Sequence, residues 1–137
     1  MHDVTQVTGK AARFLASAGS GLHHKICHVL GGMGLPHAPT HAVVLPYVLA
    51  LNAPAAPAAA DRIARALDSG TALDGLQALR RRLDAPRALR DYGFNEARIP
   101  EAVETILPVV PDTNPAAVTA AGLHRLLHDA WEGAEPR

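Results

Sequence analysis

The chain has 137 residues, thirteen basic and thirteen acidic side chains, and 48% hydrophobic residues. This length predicts a single domain over residues 1–137, and the zero net charge argues against a nucleic-acid partner because no positive field attracts phosphates. A membrane partner is equally disfavoured, since the longest apolar stretch, 42–51, has ten residues where a bilayer needs about twenty.

The start of the chain and its cysteine content indicate a cytoplasmic protein. Met1-His2-Asp3 places an acidic residue where a secretory signal carries basic ones, and no apolar run follows. Cys27 is the single cysteine, so the chain forms no internal disulfide, as is usual in a reducing compartment. We therefore expect a cytoplasmic location.

The composition and the spacing of apolar residues predict an all-α domain. Alanine is abundant, β-branched residues are sparse outside 43–48, and apolar residues recur every three or four positions. In chain order, helices are predicted over 4–18, 22–30, 41–51, 57–67, 73–83 and 100–107, around Leu89, and from 119 or 120 to 131. Thr40 is the predicted N-cap of the third helix, after a loop over 33–39, and a second loop covers 108–115.

Two of these helices have faces whose environment the sequence predicts. Helix 41–51 is apolar nearly all round, which predicts that it forms the buried centre of the domain. The run Arg80-Arg81-Arg82 in helix 73–83 is flanked by Asp74 and Asp84, which indicates a solvated helix face rather than a phosphate site.

The candidate chemistry lies in one short stretch that contains five of the eight histidines: His23, His24, His28, His37 and His41. His24 and His28 are four residues apart and share one face of the predicted helix, whereas His23 points away and is expected to pack or face water. Two imidazoles on one face can share a metal ion, or one can bind metal while the other acts as an acid. The glycine-rich turn 31–34 lets His37 reach the same face. A purely structural role for these histidines is the alternative.

Two segments of this stretch resemble a known family. Residues 21–32 read GLHHKICHVLGG and residues 34–46 read GLPHAPTHAVVLP. Together with 52–57 and 126–133, they are similar to maleylacetate reductases, a branch of the iron-containing alcohol dehydrogenase superfamily that is related to dehydroquinate synthase. The resemblance implies a helical bundle like the C-terminal domain of these enzymes, which follows an N-terminal nucleotide-binding domain in family members.

The resemblance also implies roles for three histidines. His24 and His37 match two ligands of the family's metal, whose other ligands, an aspartate and a histidine, come from an earlier helix. His28 matches a residue close to the substrate, which makes it the candidate for proton transfer, with His24 beside it as a second catalytic candidate. In maleylacetate reductases, NADH or NADPH delivers hydride to the carbon–carbon double bond of maleylacetate to give 3-oxoadipate.

Other features depart from the family pattern. The turn 31–34 follows a helix, and no glycine-rich turn between a strand and a helix is found in the sequence, so we expect no NAD(P)H binding without a separate domain. Two histidines alone predict weak binding of iron or zinc, because stable sites take three or four protein ligands. Asp3 is a candidate substitute carboxylate.

Three functions are therefore open for a chain that acts on a small molecule. The first is an oxidoreductase half-site that works beside a separate nucleotide-binding chain. The second is a redox-free lyase, isomerase or cyclase that uses His28 and His24 as acid and base. The third is a non-catalytic binding or assembly module. A homo-oligomer is expected in all three, because the family's missing domain would otherwise cover apolar surface.

Overall fold

The computed structural model describes residues 20–136, and every regular element in this part of the chain is helical. The predicted helix over 4–18 and Asp3 lie outside the described residues. The six α-helices are α1 (Ser20–Gly32), α2 (His37–Asn52), α3 (Pro57–Ala66), α4 (Ala72–Leu83), α5 (Ile99–Ile106) and α6 (Ala120–Glu132). Short 3-10 turns cover Ala53–Ala55, Leu89–Tyr92, Glu96–Arg98 and Leu107–Val109. The predicted all-α fold is confirmed.

Helix α2 is the centre of the domain, as its apolar sequence predicts. It packs against α1, α4 and α6, while α3 packs on α4 and α5 packs on α1 and α6. The main core cluster joins α1, α2, α5 and α6, and Leu49 of α2 belongs to a second cluster with α3 and α4. Because α2 contributes to both clusters, its position is fixed from several sides.

Helix α1 buries one apolar stripe and ends in a glycine turn. Leu22, Ile26 and Leu30, which recur at four-residue spacing, are completely buried in the main cluster. The helix runs two residues beyond its predicted end, through Gly31 to Gly32, and the left-handed residue of the turn is Gly34, with a φ of 101°. That conformation suits glycine, which has no Cβ to clash with the following carbonyl.

Helix α2 begins four residues earlier than predicted, which corrects the role of Thr40. The first helical residue is His37, and the residue before it, Pro36, is the N-cap. Pro39 does not delay the start, because the first-turn amides of a helix have no intrahelical acceptor to lose. Thr40 is buried inside the helix, and its hydroxyl has no hydrogen-bond partner among the described residues.

The other helix boundaries lie within one or two residues of their predicted positions. Thr71 and Thr119 cap α4 and α6 by accepting bonds from the Asp74 and Gly122 amides, at 3.1 and 3.0 Å. In the arginine run of α4, Arg81 and Arg82 are exposed as predicted, but Arg80 is half-buried. Its guanidinium donates to Gln77 and to the Pro86 carbonyl, which holds the loop after α4.

Side-chain bonds to the backbone tie the loops to the helices. The Tyr47 hydroxyl of α2 donates to the Ala134 carbonyl at 2.6 Å, and the Trp131 indole donates to Phe94 O at 2.8 Å. Arg98, just before α5, donates to Met33 O at 3.1 Å. This last bond fixes the turn between α1 and α2.

None of the helices among residues 20–136 is both long enough and apolar enough to cross a lipid bilayer.

The core stripe of α1 can be tested with one leucine inside it and one outside it. Leu30→Ala empties a site with no exposed surface and should lower the free energy of unfolding by about 2–5 kcal/mol. Leu83→Ala makes the same chemical change on a side chain that is 48% exposed and should alter stability by less than about 0.5 kcal/mol. Urea unfolding followed by circular dichroism measures both, and equal effects would contradict the assigned core.

Candidate active site

A hollow of about 280 Å³ opens at the junction of α1 and α2. Its lining residues come from the two helices: His24, Cys27, His28, Gly31, Gly32, His37 and His41. Four of these seven residues are histidines, and no carboxylate is among them. Among residues 20–136 the wall of the hollow is therefore rich in imidazole side chains and contains no acidic one.

His24, His28 and His37 form the outer set of the hollow, and all three side chains are exposed. The His24 and His28 rings stack on one face of α1, with centroids 6.3 Å apart and planes 20° from parallel. They face outward because the apolar stripe of α1 occupies the opposite side of the helix. The predicted sharing of one helix face by these two histidines is confirmed.

His37 reaches the same hollow from the first turn of α2, not from a loop. Its ring lies 4.1 Å, between centroids, from that of His41, which is one helical turn further along. The structure therefore brings His24, His28 and His37 to one hollow, in agreement with the expectation that His37 reaches the face of the other two. Their roles as ligands or acids stay predictions.

His23, Cys27 and His41 form an inner set beneath the outer one, with one ligand atom from each within 4.8 Å of the others. The His23 imidazole, which is half-buried, lies 3.0 Å from the His41 carbonyl oxygen through Nε2, so Nε2 carries the proton and donates it. The His23 and His41 rings meet edge to face at 5.0 Å. These contacts join α1 to α2 directly behind the hollow.

The sequence pattern alone indicates no function for the inner set. His23 and Cys27 have the same four-residue spacing as His24 and His28, so one helix face could have been assigned to each pair. His41 could be placed with His37 only if the helix began before Thr40, and the predicted cap excluded that. The pairing of His23 with Cys27 could therefore be predicted from their spacing, but the addition of His41 could not, because the predicted start of α2 was wrong.

Burial shifts the pKa of each member of the inner set in the direction that favours the neutral form of its side chain. Desolvation lowers the pKa of His23, although its bond to His41 O opposes the shift. Desolvation also lowers the pKa of His41, and the nearby His23, His37 and His24 rings add to the effect. Burial raises the pKa of the Cys27 thiol to about 12. At neutral pH the inner set is therefore two neutral imidazoles and a thiol.

Residues 20–136 contain only part of the ligand set that the family resemblance implies for a metal ion. His24 and His37 line one hollow and are imidazoles, a ligand type that suits iron and zinc. Within residues 20–136, however, neither belongs to a group of three ligand-type side chains whose donor atoms lie within 4.8 Å of one another. The donor chemistry fits, but further ligands must come from elsewhere.

Comparison with known proteins agrees with this architecture. Residues 7–131 match the C-terminal part of the Fe-containing alcohol dehydrogenase family. The chain belongs to this family. It is 38% identical over 135 residues to maleylacetate reductase 1 of Rhodococcus opacus, covering 98% of this chain and 38% of the relative. It is 42% identical over 126 residues to the maleylacetate reductase of Pseudomonas knackmussii, covering 91% and 36%.

Solved structures of family members have the same helical fold. An iron-containing alcohol dehydrogenase from Corynebacterium glutamicum superposes with a TM-score of 0.80 at 58% identity, covering 82% of this chain and 32% of that one. The maleylacetate reductase of Agrobacterium tumefaciens gives 0.77 at 38% identity, covering 84% and 33%. The chain thus spans about a third of the length of these family members, and it corresponds to their helical C-terminal domain.

The contact between α1 and α2 behind the hollow can be tested at His23. His23→Ala removes the donor to His41 O and should lower the free energy of unfolding by about 1 kcal/mol. His124→Ala changes an exposed histidine of α6 and should leave stability unchanged within about 0.5 kcal/mol. Chemical denaturation compares the two, and a His23 variant as stable as the His124 variant would show that this contact contributes nothing.

Proposed function

We propose that this chain supplies the helical half of a maleylacetate-reductase-type oxidoreductase site. In this function it binds a small-molecule substrate, and a separate nucleotide-binding chain holds NADH or NADPH. The observation that carries the proposal is the outer set: His24, His28 and His37 lie on two helices and line one hollow. The three positions are those to which the family resemblance assigns substrate and metal contacts.

His28 is the residue that we propose to move a proton. It stands on the exposed face of α1, in the wall of the hollow and one turn beyond His24. Reduction of a carbon–carbon double bond requires a proton as well as a hydride, and histidine is the side chain that most often supplies protons near neutral pH. His24 lies close enough to orient the same substrate or to act as a second acid.

The proposed metal ligands are His24 and His37. An iron or zinc ion held there would polarise a carbonyl or carboxylate oxygen of the substrate. Two imidazoles bind such an ion weakly, so we expect tight binding only when another part of the assembled enzyme adds ligands. Without these additional ligands, His24 and His37 shape the hollow and orient the substrate.

The described residues favour a separate source for the nucleotide. Dinucleotides bind where a glycine-rich turn leads from a strand into a helix, so that the positive helix N-terminus meets the pyrophosphate. In residues 20–136 the glycine-rich segment, 31–34, lies at the opposite end, the C-terminus of α1. A helix C-terminus carries negative partial charge, which repels phosphate.

The proposal includes an association partner and a compartment. Leu107 and Val109 lie in the same 3-10 turn and are 37% and 42% exposed. We propose that these two apolar side chains form part of the surface that contacts another chain. A second copy of this chain or the nucleotide-binding chain is the proposed occupant, and light scattering after gel filtration, with and without that chain, distinguishes them. We place the assembly in the cytoplasm, in keeping with the single cysteine.

A chimaeric enzyme tests the proposed function. This chain is fused to the part of the Rhodococcus opacus maleylacetate reductase 1 that precedes the matched region, and NADH absorbance is followed after adding maleylacetate. We expect the chimaera to oxidise NADH and the isolated chain to leave the absorbance unchanged. His28→Ala should lower kcat/KM by about a hundredfold or more, the usual contribution of a general acid.

Two controls make the outcome decisive. His124→Ala in the same chimaera removes an exposed histidine outside the hollow and should leave kcat/KM unchanged. NADH binding, measured by fluorescence, establishes that the fused nucleotide domain has folded. A chimaera that binds NADH but does not oxidise it with maleylacetate contradicts the proposal, as does a His28 variant with full activity.

A further inference from the structure

We propose that the inner set, His23, Cys27 and His41, is a second metal site that binds a borderline-soft divalent cation such as Zn²⁺. Two ligands come from adjacent turns of α1 and the third from α2, with the donor atoms within 4.8 Å of one another. The site shares no residue with the outer set, and it does not depend on the proposed function.

The distance between the two α1 ligands already suits zinc. Cys27 Sγ and His23 Nε2 are 3.6 Å apart. Bond lengths of about 2.3 Å for zinc–sulfur and about 2.0–2.1 Å for zinc–nitrogen, at a tetrahedral angle, place the two donor atoms about 3.5–3.6 Å apart. An ion can therefore join them with the α1 backbone in place, once the His23 ring turns its Nε2 from the His41 carbonyl oxygen toward the ion. The His41 ring, 5.0 Å from the His23 ring between centroids, supplies the third bond.

The donor types select the class of cation. A thiolate and two imidazoles favour zinc and similar transition metals, whereas magnesium and calcium require oxygen ligands, and this set offers no carboxylate. Cys27 and His41 both line the hollow, so an ion has a path from solvent. Three protein ligands leave a fourth position, which faces the hollow and can hold water.

Metal binding must displace two protons from their present atoms. The Cys27 thiol releases its proton to solvent and binds as thiolate. His23 now donates its Nε2 proton to the His41 carbonyl oxygen. To bind through Nε2, the neutral ring carries its proton on Nδ1 instead, and the metal bond replaces the hydrogen bond as the link between α1 and α2. If the set serves only for packing, the present hydrogen bond simply persists.

Cobalt binding to the full chain tests the site. The purified protein is treated with chelator, dialysed and titrated with Co²⁺, which gives an intense near-ultraviolet absorption when it binds thiolate. Because Cys27 is the single cysteine, this band reports an ion bound to Cys27 and cannot arise from histidines alone. We expect the band to saturate at one Co²⁺ per chain, at the same position over a range of protein concentrations, and to disappear when Zn²⁺ is added.

Two variants separate the inner set from the outer one. Cys27→Ser should abolish the cobalt–thiolate band and weaken Zn²⁺ binding at least tenfold, measured by competition with a chromophoric chelator. His24→Ala removes an outer histidine and should leave the cobalt–thiolate band unchanged. Circular dichroism verifies that each variant is folded.

The proposal is overturned by any of three results. These are a wild-type titration without a thiolate band, a folded Cys27→Ser variant that binds Zn²⁺ as tightly as the wild type, and loss of the band in His24→Ala. Should Cys27→Ser fail to fold, the wild-type spectrum still decides. Alkylation of Cys27 by iodoacetamide then gives a second measurement, because saturating Zn²⁺ should slow it at least tenfold and equal rates contradict the site.

Discussion

The packing of the apolar stripe of α1 onto α2 is the constraint on which the candidate site depends. Leu22, Ile26 and Leu30 are buried. Because each residue of a helix is rotated by about 100° from the one before it, the burial of this stripe determines which way the other side chains of α1 point. His24 and His28 must point away from the core, while His23 and Cys27 lie on the flank that faces α2. One buried stripe therefore sorts four polar or reactive side chains into an outer pair and an inner pair.

The position of the outer histidines could be predicted from sequence because it follows from this periodicity. The start of α2 could not, because two local signals both favoured a start after Thr40. Thr40 precedes an apolar run, which is typical of an N-cap, and Pro36 and Pro39 are typical of a loop. The helix instead begins at His37, with Pro39 tolerated in its first turn, and Thr40 is a buried residue within the helix rather than its cap. Tertiary packing, which a single sequence does not reveal, decided this boundary and with it the position of His41.

The two sets of ligands differ most in their contact with water. The outer histidines are exposed, so their electrostatic interactions with a substrate are weakened by the high dielectric of solvent. The inner set is partly or wholly removed from water, and its neutral forms are favoured by that removal. The same hollow thus contains exposed imidazoles, which we propose exchange protons with a bound molecule, and buried groups that are held in a neutral arrangement.

This difference explains why the two sets depend differently on other chains. Catalysis by exposed imidazoles gains most when a second surface covers them, because excluding water strengthens each charge interaction and holds the substrate in place. The proposed nucleotide-binding partner would supply such a surface together with the hydride donor. The inner set needs no cover, because the helix packing that buries Cys27 to 3% exposure has already assembled its three donors. An ion bound there would reinforce the contact between α1 and α2, and hence the spacing of His24 and His37, whether or not the outer site is complete.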